Sequence, residues 1–277
     1  MNQKLIQRDA IHVGMMVTIG MTAWAVIFFL LSETSLGGLA ADRYAMEHHS
    51  EQGWRYYRAR KYESAISAFE RAIELEPDDA DSHMGIGYSL AALKEDRAAI
   101  AKYSKALELG GDERTLYVSR AHSYNSLKQH ELALADLDRA LGLEKFDPQL
   151  HILHGYTNTL MKNYPHAISD YKYAIVLDPD NGEAQNDLAW IYATATDKRY
   201  HNGRLAVQHA KRACEISRYK DISHIDTLAA SYARNGEFDK AIKWEQKAID
   251  MLVSNKDMQT SLAKRLELYR KNKAYVE

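Results

Sequence analysis

Histidine offers the widest choice of chemistry in this chain, with twelve copies in 277 residues. His151 and His154 stand at i and i+3, where two imidazoles on one helix face can share a metal ion. The sequence places no third ligand beside them. Both fall at inward-facing positions, as does His83, so a structural role is expected. His48 and His49 are adjacent and diverge on a helix. No glycine-rich phosphate loop follows a strand, and neither an HExxH motif nor a nucleophile elbow occurs. The carboxylates are scattered, often four residues from a lysine or arginine, which is ordinary helix support. The expectation is a protein without catalytic residues, metal or cofactor, and not an enzyme. Cys214 is the single cysteine, so no intramolecular disulfide can form, and it reads as a structural residue.

The other chemistry-bearing series is aromatic. Trp54, Tyr88, His122, Tyr156 and Trp190 follow one another at 34-residue intervals, and Ala230 breaks the series. Four residues before them stand Ser50, Met84, Val118, Ile152 and Asn186. Residues four apart share a helix face. The middle of the series therefore presents Met84, Tyr88, Val118, His122, Ile152 and Tyr156 together. The outer faces are more polar, with Glu47, Arg58, Asp226 and Arg234. Rings with polar tips suit binding hot spots, and an exposed apolar stripe marks a partner surface. Such a stripe takes a peptide segment, extended or helical, or stacks on a glycan. Packing of the rings between neighbouring helices is the other reading.

A repeat must position these residues. Ala65, Ala99, Ala133 and Ala167 are each 34 residues apart, and Ala206 and Ala241 continue the series after steps of 39 and 35. Ala72, Ala106, Ala140, Ala174, Ala213 and Ala248 keep the same phase. A fixed period in this range means stacked supersecondary units, which usually bind rather than catalyse. Each unit has a small residue on its first helix: Gly53, Gly87, Ala121, Gly155, Ala189 and Ala229. A larger one follows three positions on: Tyr56, Leu90, Tyr124, Asn158, Tyr192 and Tyr232. The second helix carries Phe69, Tyr103, Leu137, Tyr171, Ala210 and Trp244. Large-against-small alternation suits helix-on-helix packing. Asn158 and Ala210 predict looser packing in the fourth and fifth units. The four prolines, Pro77, Pro148, Pro165 and Pro179, all sit at unit or helix boundaries.

In the first unit, Gly53, Tyr56, Ala65, Phe69, Ala72 and Pro77 have the residue order of the tetratricopeptide repeat, which the chain resembles over residues 46–252. The resemblance implies an all-α, right-handed helix–turn–helix solenoid of about six repeats, near 46–79, 80–113, 114–147, 148–181, 182–221 and 222–255. It also implies that the ring series faces the concave groove, where ligands bind. Some members clamp acidic C-terminal tails there with lysine, arginine and asparagine. The corresponding positions here are mostly apolar or aromatic, so no such clamp is expected. The fifth unit carries about five extra residues within 196–204, which reads as a surface loop, with ligand contact as the alternative.

The ends differ from the middle. Residues 1–10 form a short tail, and residues 11–31 are 21 residues without a charge. At 1.5 Å per residue that helix matches a bilayer core. It reads as an uncleaved transmembrane anchor, with a signal peptide cleaved after Ala40 as the rival. Gly14, Thr18 and Thr22 lie on one face of it. Lys4 and Arg8 precede it and Glu33 and Asp42 follow, so the repeats are expected across the membrane from the short N-terminus. Residues 32–45 read as a flexible linker. At the far end, residues 256–277 hold Met258, Leu262, Leu266 and Tyr269 on one helical face, the pattern of a capping helix.

Lys and Arg number 36 against 38 Asp and Glu, and nothing here suggests a nucleic-acid binder, which would show a basic stripe. The expected function is a non-enzymatic, single-pass membrane scaffold that binds proteins or peptides in its groove, at a bacterial inner membrane with the repeats in the periplasm. The alternatives are a glycan-binding component of an envelope export system and a cytosol-facing organelle receptor. Partner and oligomeric state are not legible.

Overall fold

A computed structural model describes residues 35–252 and 255–277. The described residues contain thirteen α-helices and no strand. They divide into two compact units, one ending at Gly111 and one spanning Asp112–Glu277.

In unit one, α1 (Ser35–Arg58) packs on α2 (Tyr62–Leu75), and α3 (Ala80–Ala92) packs on α2 and on α4 (Asp96–Glu108). Its core is built by exchanging glycine for aromatic volume. A Cβ on Gly53 would stand 2.6 Å from the Phe69 ring, and one on Gly85 only 2.4 Å from it. Gly87 faces Tyr103 in the same way, at 2.5 Å. The two rings are fully buried because the first helices have no side chain where the rings lie.

Unit two comprises α5 (Glu113–Ser126), α6 (His130–Leu143), α7 (Pro148–Leu160), α8 (Tyr164–Leu177), α9 (Gly182–Thr194), α10 (Gly203–Ile216), α11 (Ile222–Arg234), α12 (Phe238–Met251) and α13 (Lys256–Arg270). Each helix packs on the next, and α9 also packs on α11. The alanines of both series are fully buried, which lets successive helices approach. Helix α13 buries Leu262, Leu266 and Tyr269 against the preceding pair, with Met258 partly covered.

Local chemistry sets the helix boundaries. Asp79, Asp147, Asn181, Asn202, Asp221 and Asn255 each accept a hydrogen bond from a backbone N–H of the helix they open. They satisfy donors that a helix start leaves free. The turn inside each of the first four repeats uses one left-handed residue: Arg60, Lys94, Lys128 and Lys162, at φ of 58–67°. Gly236 fills that place in the last repeat, at φ 80°. The N–H of the following residue closes each turn, as Glu95 does on Leu90 and Gln129 on Tyr124.

Two expectations change. The linker expected at residues 32–45 is helical from Ser35, as part of α1. The helix runs through its paired glycines, Gly37 and Gly38. Asn158 does not loosen the fourth repeat. It is buried, donates to the His154 carbonyl and to Asp170, and accepts from Asn163, so hydrogen bonds replace the expected apolar bulk. Ala210 is likewise fully buried in the core. The expected anchor, residues 11–31, lies outside the described residues. Among those described, no helix is long and apolar enough to cross a membrane.

Candidate ligand-binding site

Val118 and His122 lie one turn apart on α5, and Ile152 and Tyr156 one turn apart on α7. All four line one pocket of about 310 Å³, with Leu150 and Leu153 completing its apolar wall. Ile152 is only 3% exposed and forms the floor, whereas Tyr156 is 45% exposed and stands at the mouth. The rim is charged. Arg114 pairs with Glu144 at 2.5 Å and with Asp147, while Gln149 and Glu183 also border the opening. Desolvation holds the His122 pKa below its ordinary value, so the imidazole stays neutral near neutral pH. The volume lies at the small end of ligand pockets and suits one or two apolar side chains.

The other rings of the series lie elsewhere. In unit one, Trp54 meets Phe69 edge-on at 5.2 Å and donates to Asp81 at 2.7 Å. Tyr88 packs among Trp54, Tyr57 and Tyr103 at 5.7–6.0 Å. Both rings are partly buried, as is Met84 one turn before Tyr88. Packing and exposure thus coexist along this stripe.

Trp190 is covered. Its indole N–H donates to the Glu277 carboxylate at 3.1 Å, and the Tyr275 ring lies 6.0 Å away. Tyr275 and Glu277 lie on this face, an arrangement that repeat spacing does not encode. Spacing also missed Arg114, Asp147, Gln149, Leu150, Leu153 and Glu183. These residues occupy helix starts and off-series positions, so only the assembled pocket selects them.

His83, His151 and His154 have structural partners. His83 bonds the Pro77 carbonyl at 3.1 Å and His151 the Lys145 carbonyl at 2.9 Å, each closing the turn before its own helix. His154 meets Asp170 at 2.8 Å. Burial works to lower its pKa, but the hydrogen bond and charge of Asp170, with Asp138, raise it on balance. Among the described residues no group of three or more His, Cys, Asp or Glu side chains is placed to hold a metal. Cys214 is buried and donates to the His224 carbonyl, and burial pushes its thiol up to about 12. It remains a neutral thiol at ordinary pH and a poor nucleophile.

The extra residues of the fifth repeat are docked on its core. Tyr200 packs 5.4 Å from Tyr164, whose hydroxyl pairs with Thr196. A Cβ on Gly203 would stand 2.7 Å from the Asn235 Cα, so α10 begins in backbone contact with the end of α11.

Comparison with known proteins agrees with this architecture. Residues 50–114 and 115–147 match family models described as tetratricopeptide repeat. A tetratricopeptide repeat protein from Parabacteroides merdae superposes with a TM-score of 0.69 at 17% identity, over 82% of this chain and 88% of that one. The pilF protein of Pseudomonas aeruginosa gives 0.64 at 16% identity, over 81% and 99%. The Cut9–Hcn1 hetero-tetramer of APC/C gives 0.65 at 18% identity over 87% of this chain. This chain spans 45% of the matched chain in that complex. At these identities the likeness is one of fold. No curated protein matches the chain.

Proposed function

We propose, from the premise that this chain is a tetratricopeptide repeat protein, that it is a non-catalytic scaffold whose α5–α7 pocket takes an apolar anchor of a partner protein. One observation carries the reading: four residues at helical spacing converge on an open apolar pocket with a charged rim. The buried floor at Ile152 and the exposed ring of Tyr156 let an anchoring side chain exchange water for carbon on all sides. The ion pairs of Arg114 at the rim orient a partner more than they bind it.

Screening a peptide array and titrating the best apolar-anchored peptide tests this. Tyr156→Ala is expected to weaken binding by about 30-fold, on the order of 2 kcal/mol, the size of an interface hot spot. The wild-type affinity is expected to hold within about threefold from roughly 0.1 to 1 M salt, because apolar contacts are not screened. Binding that survives Tyr156→Ala, or collapses with salt, rejects the pocket as the site.

In the same reading residues 11–31 anchor the scaffold in a bacterial inner membrane, with the repeats in the periplasm. The support is their charge-free length and the basic residues before them. The chain is expected to stay in the membrane pellet through alkaline carbonate extraction. A reporter fused after Glu277 is expected to be active on the periplasmic side. Release into the supernatant removes the anchor from the proposal, and a cytoplasmic reporter signal reverses the orientation.

A further inference from the structure

We infer that the face of unit two formed by α9, α11 and α13 is a second docking site, for an extended protein segment with an aromatic residue two positions before an acidic one. Residues 274–277 of this chain occupy it as an intramolecular competitor. The inference rests on the reading that this protein receives partner segments on its first helices, and extends it to a different set of residues.

The site begins with an irregular helix end. A helix leaves its last carbonyls without intrahelical donors. Most first helices here close theirs with a left-handed turn, but α9 passes through Ala195 at φ −46° and ψ 138° into the extra residues of the fifth repeat. The Ala193 carbonyl then accepts from Arg234 Nε at 2.5 Å. The Thr194 carbonyl accepts from the Glu277 backbone N–H at 2.9 Å. The second guanidinium arm of Arg234 donates to the Tyr275 carbonyl at 2.8 Å. Side-chain contacts follow the same alternation. Tyr275 lies against Trp190 and 5.4 Å from the Arg265 guanidinium, and Glu277 accepts from the Trp190 indole. Val276 between them points outward and is 45% exposed.

Recognition of alternate residues, combined with backbone hydrogen bonds, is the signature of an extended ligand. The receiving groups are held independently of the tail. Arg234 is fixed by Ala193, and Arg265 by a two-pronged bond to Asp226 at 2.7 and 2.9 Å. Leaving of the tail would bare the Thr194 carbonyl, one arm of Arg234 and the Trp190 indole N–H together. These groups favour an occupant of the same chemistry. Because the tail follows α13 directly, tethering keeps its local concentration high, and a partner must outcompete it.

The test uses the full chain and a fluorescein-labelled peptide with the sequence of residues 271–277, KNKAYVE, followed by anisotropy. Tyr275→Ala/Glu277→Ala in the protein disables the competitor and is expected to tighten peptide binding by about tenfold or more over wild type. Adding Trp190→Ala to that variant is expected to abolish it, and a scrambled peptide is expected not to bind. Far-UV circular dichroism verifies unchanged helicity in each variant. Equal binding by wild type and the double variant, or no binding by either, overturns the inference and leaves the tail a structural cap. Tyr156→Ala separates the two proposals. It is expected to leave binding of this peptide unchanged while weakening the apolar-anchored one, so either can fail alone.

Discussion

Arg265→Met is expected to lower the unfolding free energy by about 3–5 kcal/mol, read from urea melts followed by circular dichroism. Arg265 lies between two buried carboxylates. It grips Asp226 with both arms, and its Nε lies 3.5 Å from Glu245, which is fully buried. Burial, then the adjacent charge of Asp226, raises the Glu245 pKa far above the ordinary glutamate range, so Glu245 carries a proton; burial also raises the Asp226 pKa, and the charge and hydrogen bonds of Arg265 oppose that rise. Removing the guanidinium leaves a buried carboxylate without a counter-ion, and desolvation is then uncompensated. It also withdraws the cation lying 5.7 Å from Trp190 and 5.4 Å from Tyr275.

The sign of the pH dependence follows from the raised Glu245 value. Between the ordinary glutamate pKa and the raised one, the folded state holds a proton that the unfolded chain has lost. The stability from this group is therefore complete below the ordinary range and is lost as pH rises through the raised value. Glu245→Gln keeps the shape without the titration. It is expected to fold normally and to flatten the decline on the alkaline side in melts at several pH values. The triple replacement Asp226→Leu/Glu245→Leu/Arg265→Met is expected to recover most of the loss, since an apolar trio needs no pairing. A single Arg265→Met that costs under about 1 kcal/mol would show that water or rearrangement satisfies Asp226.

Phe69→Ala is expected to cost unit one about 3–5 kcal/mol in the same measurement. The ring is fully buried between α1 and α3, and glycines stand on both sides of it. Glycine has no side chain to move into the void, so the cavity persists after truncation. The converse substitution, Gly85→Ala, is expected to cost about 1–3 kcal/mol through overpacking. The ring cannot retreat from a Cβ at Gly85, because Gly53 already meets its other face. A double variant, Gly85→Ala with Phe69→Leu, is expected to lose less than the sum of the single changes, since each relieves the other. Strict additivity would mean that the ring and the glycine do not share this space.

Much of this was legible from local pattern. The period marked the repeats because each unit meets the same neighbours and buries the same stripe, so Ala65, Phe69 and Ala72 recur in type along the chain. The buried face of α13, with Leu262, Leu266 and Tyr269, was legible from its helical spacing. Within the candidate site, Val118, His122, Ile152 and Tyr156 were found by spacing, since residues four apart on a helix cannot avoid sharing a face. Asn158 was misread because residue type alone hides whether hydrogen-bond partners such as Asp170 and Asn163 will converge on it.

The sequence by itself determined the helices, their repeat and the face each turns to its neighbours, because those depend on contacts between residues close in the chain or one period apart. Only the tertiary structure decided the fate of each ring on that face. Tyr156 stands at an open pocket, Trp54 and Tyr88 share an aromatic cluster, and Trp190 lies under Tyr275 and Glu277. Exposure is a property of everything that packs nearby. A segment 87 residues further along the chain covers Trp190, and no periodicity carries that contact.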